Sequence, residues 1–256
     1  GVAPRLCALR SYAKQLGISD VGSVGHVRLL KQTGYCVLEM EKGTKAILDV
    51  GEVGPDYQPG HAHADTLSFE LSIMHQRVIV NSGISQYGLD EVRHAQRSTK
   101  AHSTVCVDGQ NSSDVWAGFR VGRRARPFDL IVEDKSDELK VACSHDGYLK
   151  RPGRNIHRRS WCFTSSGLVV RDSVGGDFLS AKAYFYLHPD VKVISTEATQ
   201  VILCLPNLKE VVFYLESEGE IDLQSSAWHP GFDRAENNNC IVILFRSKES
   251  VVNIEW

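Results

Sequence analysis

The sequence predicts an all-β protein: one large antiparallel β-sandwich that carries a short N-terminal helical segment. Short segments rich in β-branched and aromatic residues, such as "KAILDVG" and "EVVFYLE", follow one another along the chain. Gly, Asn, Asp, Ser and Pro separate them at intervals typical of sandwiches. Helical and strand segments do not alternate, which argues against a parallel α/β sheet.

The helical segment comes first. In "APRLCALRSYAKQLG" apolar residues recur at helical spacing, and Gly17 provides a C-terminal stop signal. After it the hydrophobic period changes to that of strands. No second convincing helical stretch follows, so we expect a single helix.

The strands are expected within fifteen segments that share a short length and a high content of Val, Ile, Phe and Tyr. They are "GYCVLEM", "KAILDVG", "LSFELSI", "RVIVNSG", "STVCVDG", "DLIVED", "LKVACSH", "SWCFTSS", "GLVVRDSV", "AKAYFYLH", "VKVIST", "QVILCLP", "EVVFYLE", "CIVILFRS" and "VVNIEW". A chain of 256 residues can form them into one domain with a sizeable core.

Composition excludes several classes of protein. The 29 Lys and Arg residues nearly balance the 31 Asp and Glu residues, so no overall charge directs the chain to nucleic acid or to an anionic membrane. No apolar run is long enough to span a bilayer. The seven cysteines are odd in number and never spaced as Cys-x-x-Cys, which argues against a disulfide framework and a zinc ribbon. Basic residues gather in "FRVGRRARP" and "KRPGRNIHRRSW", where they could meet an acidic polysaccharide.

The segment "PGHAHADTLSFE" carries two histidines and an aspartate at alternate positions. If this segment is extended, the strand period places His61, His63 and Asp65 on one face and the intervening alanines on the other. A His-x-His pair on a strand can present two nitrogens to one metal or one substrate. The alternative is a hydrogen-bonded structural cluster.

A long polar loop follows between two predicted strands. It is dense in arginine, tyrosine and histidine, and includes Tyr87, Arg93 and Arg97. A loop of this kind on a rigid sheet is suited to binding anions. The alternative is a solvated loop whose arginines pair with Asp90 and Glu91, so substrate binding and loop bracing both stay open.

Several motifs together resemble one family, the heparinase II/III-like polysaccharide lyases, which include oligoalginate lyases. They are "GHAHADTLSFEL", "VNSG", "YG", "QRSTKAHSTVCVDG", "SSDVWAGFRVGRRARP", "SHDGYL" and "HRRSW". The resemblance covers roughly residues 34–189 and is most specific in its first half.

The resemblance implies a protein in two parts, an (α/α) toroid of helices followed by a β-sandwich. Residues 1–22 would then be a helical connector from the toroid, and residues 23–256 the sandwich domain. The family cleaves uronic-acid-containing glycans by β-elimination, and its toroid supplies the catalytic tyrosine. The chain alone is therefore expected to be inactive, and the alternative is a non-catalytic acidic-glycan-binding or structural module. A periplasmic location fits members that act on imported glycans, whereas the unpaired cysteines fit the cytoplasm equally well.

By motif, the resemblance assigns a catalytic or substrate-contacting role to His61. It places Tyr87, Arg93 and Arg97 in the loop that could contact a substrate carboxylate. His157 shows no supporting neighbours and receives no role.

The resemblance also implies a structural zinc ion bound by His63 and His102. The family's third ligand is an aspartate, and the corresponding residue here is Asn81. An asparagine offers a carbonyl dipole instead of a full charge, so we expect a weakly held zinc or no metal. Asp65 could substitute if the backbone brings it close enough. Otherwise the two histidines would hydrogen-bond to Asn81.

Overall fold

The structure of the protein, a computed structural model, describes residues 5–18 and 26–256. Two α-helices lie in these ranges, α1 (Leu6–Gln15) and α2 (Glu91–Arg97). Neither helix is long and apolar enough to cross a membrane. The predicted boundary between residues 22 and 23 lies outside the described residues.

The first sheet contains nine of the strands in the described residues, and all its ladders are antiparallel. Its strands are β1 (Val27–Leu30), β2 (Tyr35–Met40), β3 (Thr44–Asp49), β4 (Phe69–Ile73), β5 (Gln76–Val80), β6 (Val105–Val107), β13 (Ala181–Leu187), β17 (Gly219–Trp228) and β18 (Glu236–Phe245). Their order is β1-β2-β3-β4-β5-β13-β18-β17, and β6 also pairs with β13.

The second sheet contains eight described strands, again antiparallel. These are β9 (Pro127–Asp134), β10 (Glu138–His145), β11 (Ile156–Thr164), β12 (Gly167–Gly175), β14 (Lys192–Thr196), β15 (Gln200–Cys204), β16 (Glu210–Leu215) and β19 (Glu249–Glu255). Their order is β14-β15-β16-β19-β12-β11-β10-β9. The short strands β7 (Val115–Trp116) and β8 (Arg120–Val121) form a separate ribbon.

The core lies between the two large sheets. Along β11 buried and partly exposed residues alternate strictly, as expected for a strand with one face on the core. Large rings from both sheets meet there: Phe69 and Phe185 from the first sheet pack edge-on, and Phe69 also packs against Trp161 from the second. The predicted fold class, an all-β sandwich with a short N-terminal helix, is confirmed.

One local prediction is wrong, and one condition is not met. Residues 91–97, expected as loop, form the helix α2, which begins after Asp90 because that carboxylate accepts a hydrogen bond from the backbone N–H of Arg93 (3.0 Å). The "HAHAD" segment is not an extended strand. A 3₁₀ turn occupies Pro59–His61, and the following residues run irregularly to β4.

Candidate functional site

Two loops at the strand ends of the first sheet build the candidate site. One connects β3 to β4 and carries the "HAHAD" segment, and the other connects β5 to β6 and carries α2. They are joined through the backbone, because the N–H of Ala64 donates to the carbonyl of Arg97 (2.9 Å). Ala64 is fully buried, so the small side chain allows this close approach.

Arg97 braces the site and is itself fully buried. Its guanidinium donates five hydrogen bonds of 3.0–3.2 Å, all to backbone carbonyls. The acceptors belong to the "HAHAD" segment and to the β7–β8 ribbon, and they are Ala62, Trp116, Ala117 and Arg120. Because every donor is used, Arg97 fixes the loops and has none left for a substrate.

His63 and His102 form a directly hydrogen-bonded imidazole pair, with His63 Nδ1 3.0 Å from His102 Nε2. Nδ1 of His102 lies 2.8 Å from the carbonyl of Ser98, and Nε2 of His63 lies 3.2 Å from Nη1 of Arg93. A carbonyl only accepts and a guanidinium only donates. Each neutral imidazole therefore carries its proton on Nδ1, and both histidines are satisfied at both ring nitrogens.

Electrostatics keeps this pair neutral. Burial, followed by the neighbouring imidazole and two guanidinium groups, lowers the pKa of His63 to about 2. Burial also lowers the pKa of His102, and this outweighs the opposing effect of the Asp65 carboxylate. Neither imidazole can act as a proton donor near neutral pH.

Two buried positive charges lie beside the pair. Arg93 and Arg97 are both fully buried, and neither forms an ion pair with a carboxylate in the part of the chain that the structure describes. Burial lowers the pKa of both groups, yet a guanidinium stays protonated at physiological pH. Arg93 donates from Nε to the carbonyl of Gly118 (3.2 Å), but its Nη2 is buried without a hydrogen-bond partner among the described residues. The site therefore holds two positive charges without a directly paired carboxylate among the described residues.

His61 points away from the imidazole pair into an exposed aromatic cluster. Its ring lies edge-on to Tyr87 (5.3 Å between centroids) and Phe119 (5.8 Å), and Tyr87 also contacts Phe232 (4.9 Å). The guanidinium of Arg93 lies 5.0 Å from the centre of the Tyr87 ring. We call His61, Tyr87, Phe119 and Phe232 the aromatic cluster.

The aromatic cluster connects sequence-predicted residues with two that sequence reasoning missed. Phe119 lies between β7 and β8, within a motif already noted, but nothing in its spacing indicates exposure. Phe232 lies on the distant loop after β17, which is held at the site because the N–H of Asp233 donates to the carbonyl of Ser85 (3.0 Å). No sequence signal links that loop to the histidines. Trp116, at the end of β7, is 48% exposed and is not a core residue.

Asn81 lies at the end of β5, beside the histidine pair. Its Oδ1 accepts a hydrogen bond from the N–H of Ser103 (2.8 Å), and its Nδ2 faces the hydroxyl of Ser68 at 3.5 Å. Asn81 thus fixes the residue that follows His102. No hydrogen bond joins it to either histidine in the described structure.

Asp65 lies close to both imidazoles. One nitrogen of each ring and a carboxylate oxygen of Asp65 all lie within 4.8 Å of one another. Two imidazoles and one carboxylate are a ligand set that binds zinc in proteins. The Nδ1–H of His102 already donates to a carbonyl, as the second ring nitrogen of a metal-bound histidine does. These residues therefore fit the ion that the resemblance implies. On another side, Asp65 lines a cleft of about 810 Å³ that also contains Asp49 and Tyr35.

A buried polar network supports the site from the second sheet. Arg159 on β11 forms a two-pronged ion pair with Asp172 (2.7 and 2.9 Å), and it also donates to the carbonyls of Leu67 (3.0 Å) and Ser103 (2.6 Å). Those carbonyls belong to the loops that carry Asp65 and His102. Arg159 therefore ties both site loops to the opposite sheet.

His157, which the sequence left without a role, belongs to this network. Its Nε2 lies 2.7 Å from the Asp172 carboxylate, and its Nδ1 lies 3.1 Å from Nε2 of His145. The N–H of Gly147 donates to Nδ1 of His145 (3.0 Å), which fixes the direction of the whole chain of hydrogen bonds. Both histidines are fully buried, so they are structural and do not line the cleft.

Comparison with known proteins covers nearly the whole chain, including both site loops. Residues 23–256 match the family model described as "Heparinase II/III-like, C-terminal". No curated protein matches the sequence.

Solved structures with the same fold include heparan sulfate lyase HepC from Pedobacter heparinus, with a TM-score of 0.77 and 16% identity. A heparinase III gene product gives 0.78 and 14%, and another heparinase III gives 0.74 and 17%. The alignments cover 97%, 98% and 91% of this chain but only 41%, 41% and 37% of the respective solved chains. The chain thus spans less than half the length of these structures.

Proposed function

This chain belongs to the heparinase II/III-like family as its C-terminal part, and from that premise we propose that it forms the sandwich side of a cleft that binds and cleaves uronic-acid-containing glycans. The proposed reaction is β-elimination, completed by residues of an N-terminal (α/α) toroid domain. One observation carries the proposal: two fully buried arginines without carboxylate partners lie directly behind an exposed aromatic cluster.

The charge arrangement suits an acidic glycan. A buried guanidinium without a counter-ion attracts an anion strongly, because the low local dielectric weakens screening. Arg93 still has an unpartnered Nη2, so a modest movement of its head group would let it reach a substrate carboxylate or sulfate. Arg97 contributes charge but no free donor.

The aromatic cluster suits the sugar rings. Tyr87, Phe119 and Phe232 are 40%, 45% and 42% exposed, an unusual grouping for a water-facing surface. Aromatic faces pack against the C–H faces of a pyranose ring and exclude water from it. The aromatic cluster would thus bind the apolar face of the uronate ring, and the arginines would attract its carboxylate.

His61 is the imidazole suited to proton transfer. β-Elimination removes the C5 proton next to the uronate carboxylate while the O4 leaving group departs, and positive charge near that carboxylate stabilises the carbanion-like state. His63 and His102 have both ring nitrogens engaged, whereas the His61 side chain makes no hydrogen bond within the described residues. We assign it substrate contact and acid–base assistance.

A second candidate function is a non-catalytic module that grips acidic glycan. It is favoured by the fact that two of the three histidines at the site have both ring nitrogens engaged, which leaves only His61 for proton transfer. In that case the cleft would bind glycan but lack the groups that complete elimination.

Binding and product formation separate the two candidates. We would titrate the chain with heparan sulfate, alginate and neutral dextran by calorimetry, and follow the ultraviolet absorbance of unsaturated uronate. Binding of an acidic glycan but not dextran, weakened about tenfold in Arg93→Gln and unchanged in the exposed control His94→Gln, supports an acidic-glycan cleft. Because the chain alone is expected to be inactive, absorbance is followed with the sandwich joined to an (α/α) toroid domain of the family. Absorbance growth there would show lyase activity, and its absence with binding would favour the module. Equal binding of dextran, or no binding at all, would overturn both.

A further inference from the structure

We propose that Asp65, and not Asn81, supplies the carboxylate ligand of a zinc site completed by His63 and His102. The inference concerns metal binding and stands independently of the proposed lyase function. Three arguments support it: the engagement of Asn81, the position of Asp65, and the way in which the histidines are held.

Asn81 is poorly placed to be a ligand. A neutral amide is a weak zinc ligand compared with a carboxylate. Its carbonyl oxygen, Oδ1, already accepts the N–H of Ser103 at 2.8 Å, which uses one of its two lone pairs and fixes the orientation of the amide. Turning the amide towards the histidines would leave that N–H, which belongs to a fully buried residue, without a partner, at a cost typical of an unsatisfied buried group.

Asp65 has the opposite properties. Its carboxylate lies within 4.8 Å of a nitrogen of each imidazole, and the described residues provide it with no side-chain hydrogen bond. It lines a cleft together with the Asp49 carboxylate, so a cation bound at Asp65 would lie beside a second negative charge.

Of the two histidines, His102 is held as metal ligands usually are. His102 presents Nε2 because its Nδ1 donates to the carbonyl of Ser98, and that hydrogen bond fixes both tautomer and ring orientation. His63 presents Nδ1 to the same point, 3.0 Å away. Coordination through Nδ1 would put the remaining proton of His63 on Nε2, which faces Nη1 of Arg93. Zinc binding therefore requires Arg93 to give up this contact, which frees Nη1 for an anion.

The test is zinc binding by the purified chain, measured with ZnCl₂ against a competing chelating dye and by elemental analysis after dialysis. We expect about one zinc per chain in the wild type, and at least tenfold weaker binding in Asp65→Asn, His63→Ala and His102→Ala. The matched control is Asp49→Asn, which removes the neighbouring carboxylate and is expected to change affinity less than threefold. The double variant Asp65→Asn/Asn81→Asp has a carboxylate at position 81, directly after β5, and should recover part of the zinc affinity.

Circular dichroism in the presence of chelator establishes whether each variant is folded. If Asp65→Asn does not fold, Asp65→Ser removes the carboxylate in a second way. Wild-type affinity in a folded Asp65 variant would overturn the proposal, as would a wild-type chain that binds no zinc at micromolar concentration. Loss of zinc in Asp49→Asn equal to that in Asp65→Asn would also overturn it, because the ligand would then not be specific to Asp65.

Discussion

Nη1 of Arg93 lies 3.2 Å from Nε2 of His63 and fixes one end of a directed chain of hydrogen bonds. A guanidinium can only donate, so Nε2 of His63 must accept and its proton must be on Nδ1. The Nδ1–H of His63 donates to Nε2 of His102, whose own Nδ1–H donates to the carbonyl of Ser98. The guanidinium at one end and the carbonyl at the other therefore require the same tautomers.

The orientation predicts the tautomers of the metal-free chain. In chelator-treated protein, nitrogen-correlated NMR of the imidazole rings should show His63 and His102 protonated on Nδ1 and neutral at pH 7. Replacing Arg93 by Met removes one end of the chain, but the Ser98 carbonyl still requires Nδ1–H on His102 and therefore Nδ1–H on His63, so both tautomers should be kept. A pure Nε2–H form of His63 in the wild type would contradict the assignment.

Arg97 should be among the residues most important for stability of the site. Its five charged hydrogen bonds hold four carbonyls of two loops. We expect Arg97→Ala to lower the free energy of unfolding by at least about 3 kcal/mol, because buried carbonyls lose charged donors. Arg97→Lys should recover little, since an ammonium cannot reproduce the planar fork.

Urea unfolding of these variants, with the exposed Arg234→Lys as control, measures the effect. A loss below about 1 kcal/mol in Arg97→Ala would show that the loops are held mainly by other contacts.

The fold was predictable from sequence because most strands either alternate apolar and polar residues or are apolar over their whole length. β17 was missed since most of its residues, in "GEIDLQSSAW", are polar or small and partly or fully exposed, so it shows no apolar period. The helix α2 was missed because seven residues, most of them polar, give too short a helical pattern. Its one local signal was Asp90 as a helix-capping residue.

The site was predictable only in part. Motifs brought His61, His63 and His102 to attention, but the alternation in "HAHAD" does not correspond to a strand, because the segment turns at Pro59–His61 and the N–H of Ala64 bonds to the carbonyl of Arg97. Spacing along the chain cannot reveal contacts that depend on tertiary packing. Phe232 is one such case, since it reaches Tyr87 from 145 positions further along the chain.

Phe232 provides a test of the aromatic cluster that leaves the charges intact. We expect Phe232→Ala to weaken binding of an acidic glycan about fivefold, in line with about 1 kcal/mol for one aromatic packing contact. Its exposure means that unfolding free energy should change little. The control is Leu208→Ala, on a distant loop where the leucine is 82% exposed. Unchanged calorimetric affinity in Phe232→Ala would exclude the ring from the binding surface.

The buried histidines predict how stability depends on pH. Burial is the main cause that lowers the pKa of His145 and of His157, so the folded protein keeps both neutral. The unfolded chain binds protons below about pH 6.5 while the folded chain does not. Stability is therefore complete above that pH and falls as the pH decreases, by up to about 1.4 kcal/mol per pH unit for each histidine.

Urea unfolding between pH 7 and pH 5 tests this dependence. The slope should decrease in His145→Gln and remain in the exposed control His94→Gln. Burial raises the pKa of Asp172, but Arg159 and His157 outweigh it and lower that pKa to about 2. Asp172 therefore loses its contribution to stability only at much lower pH. A wild-type stability that is flat over this range would contradict neutral buried histidines.

The ion pair between Arg159 and Asp172 should couple the second sheet to the candidate site. Arg159→Met leaves a buried carboxylate without its main partner, which typically costs roughly 3–5 kcal/mol. The double variant Arg159→Met/Asp172→Asn removes both charges and should be less destabilised than the single one, a non-additivity that a double-mutant cycle measures. Hydrogen exchange at the Ser103 amide adds a local measurement.

That amide should exchange faster in both variants, because each loses the guanidinium that holds the Ser103 carbonyl. If the loss of Arg159 lowered global stability but left exchange at Ser103 unchanged, the network would be a core feature without influence on the site. Faster exchange in the double variant, where the charge imbalance is gone, would instead show that Arg159 positions the loop of His102 through direct contact with its backbone.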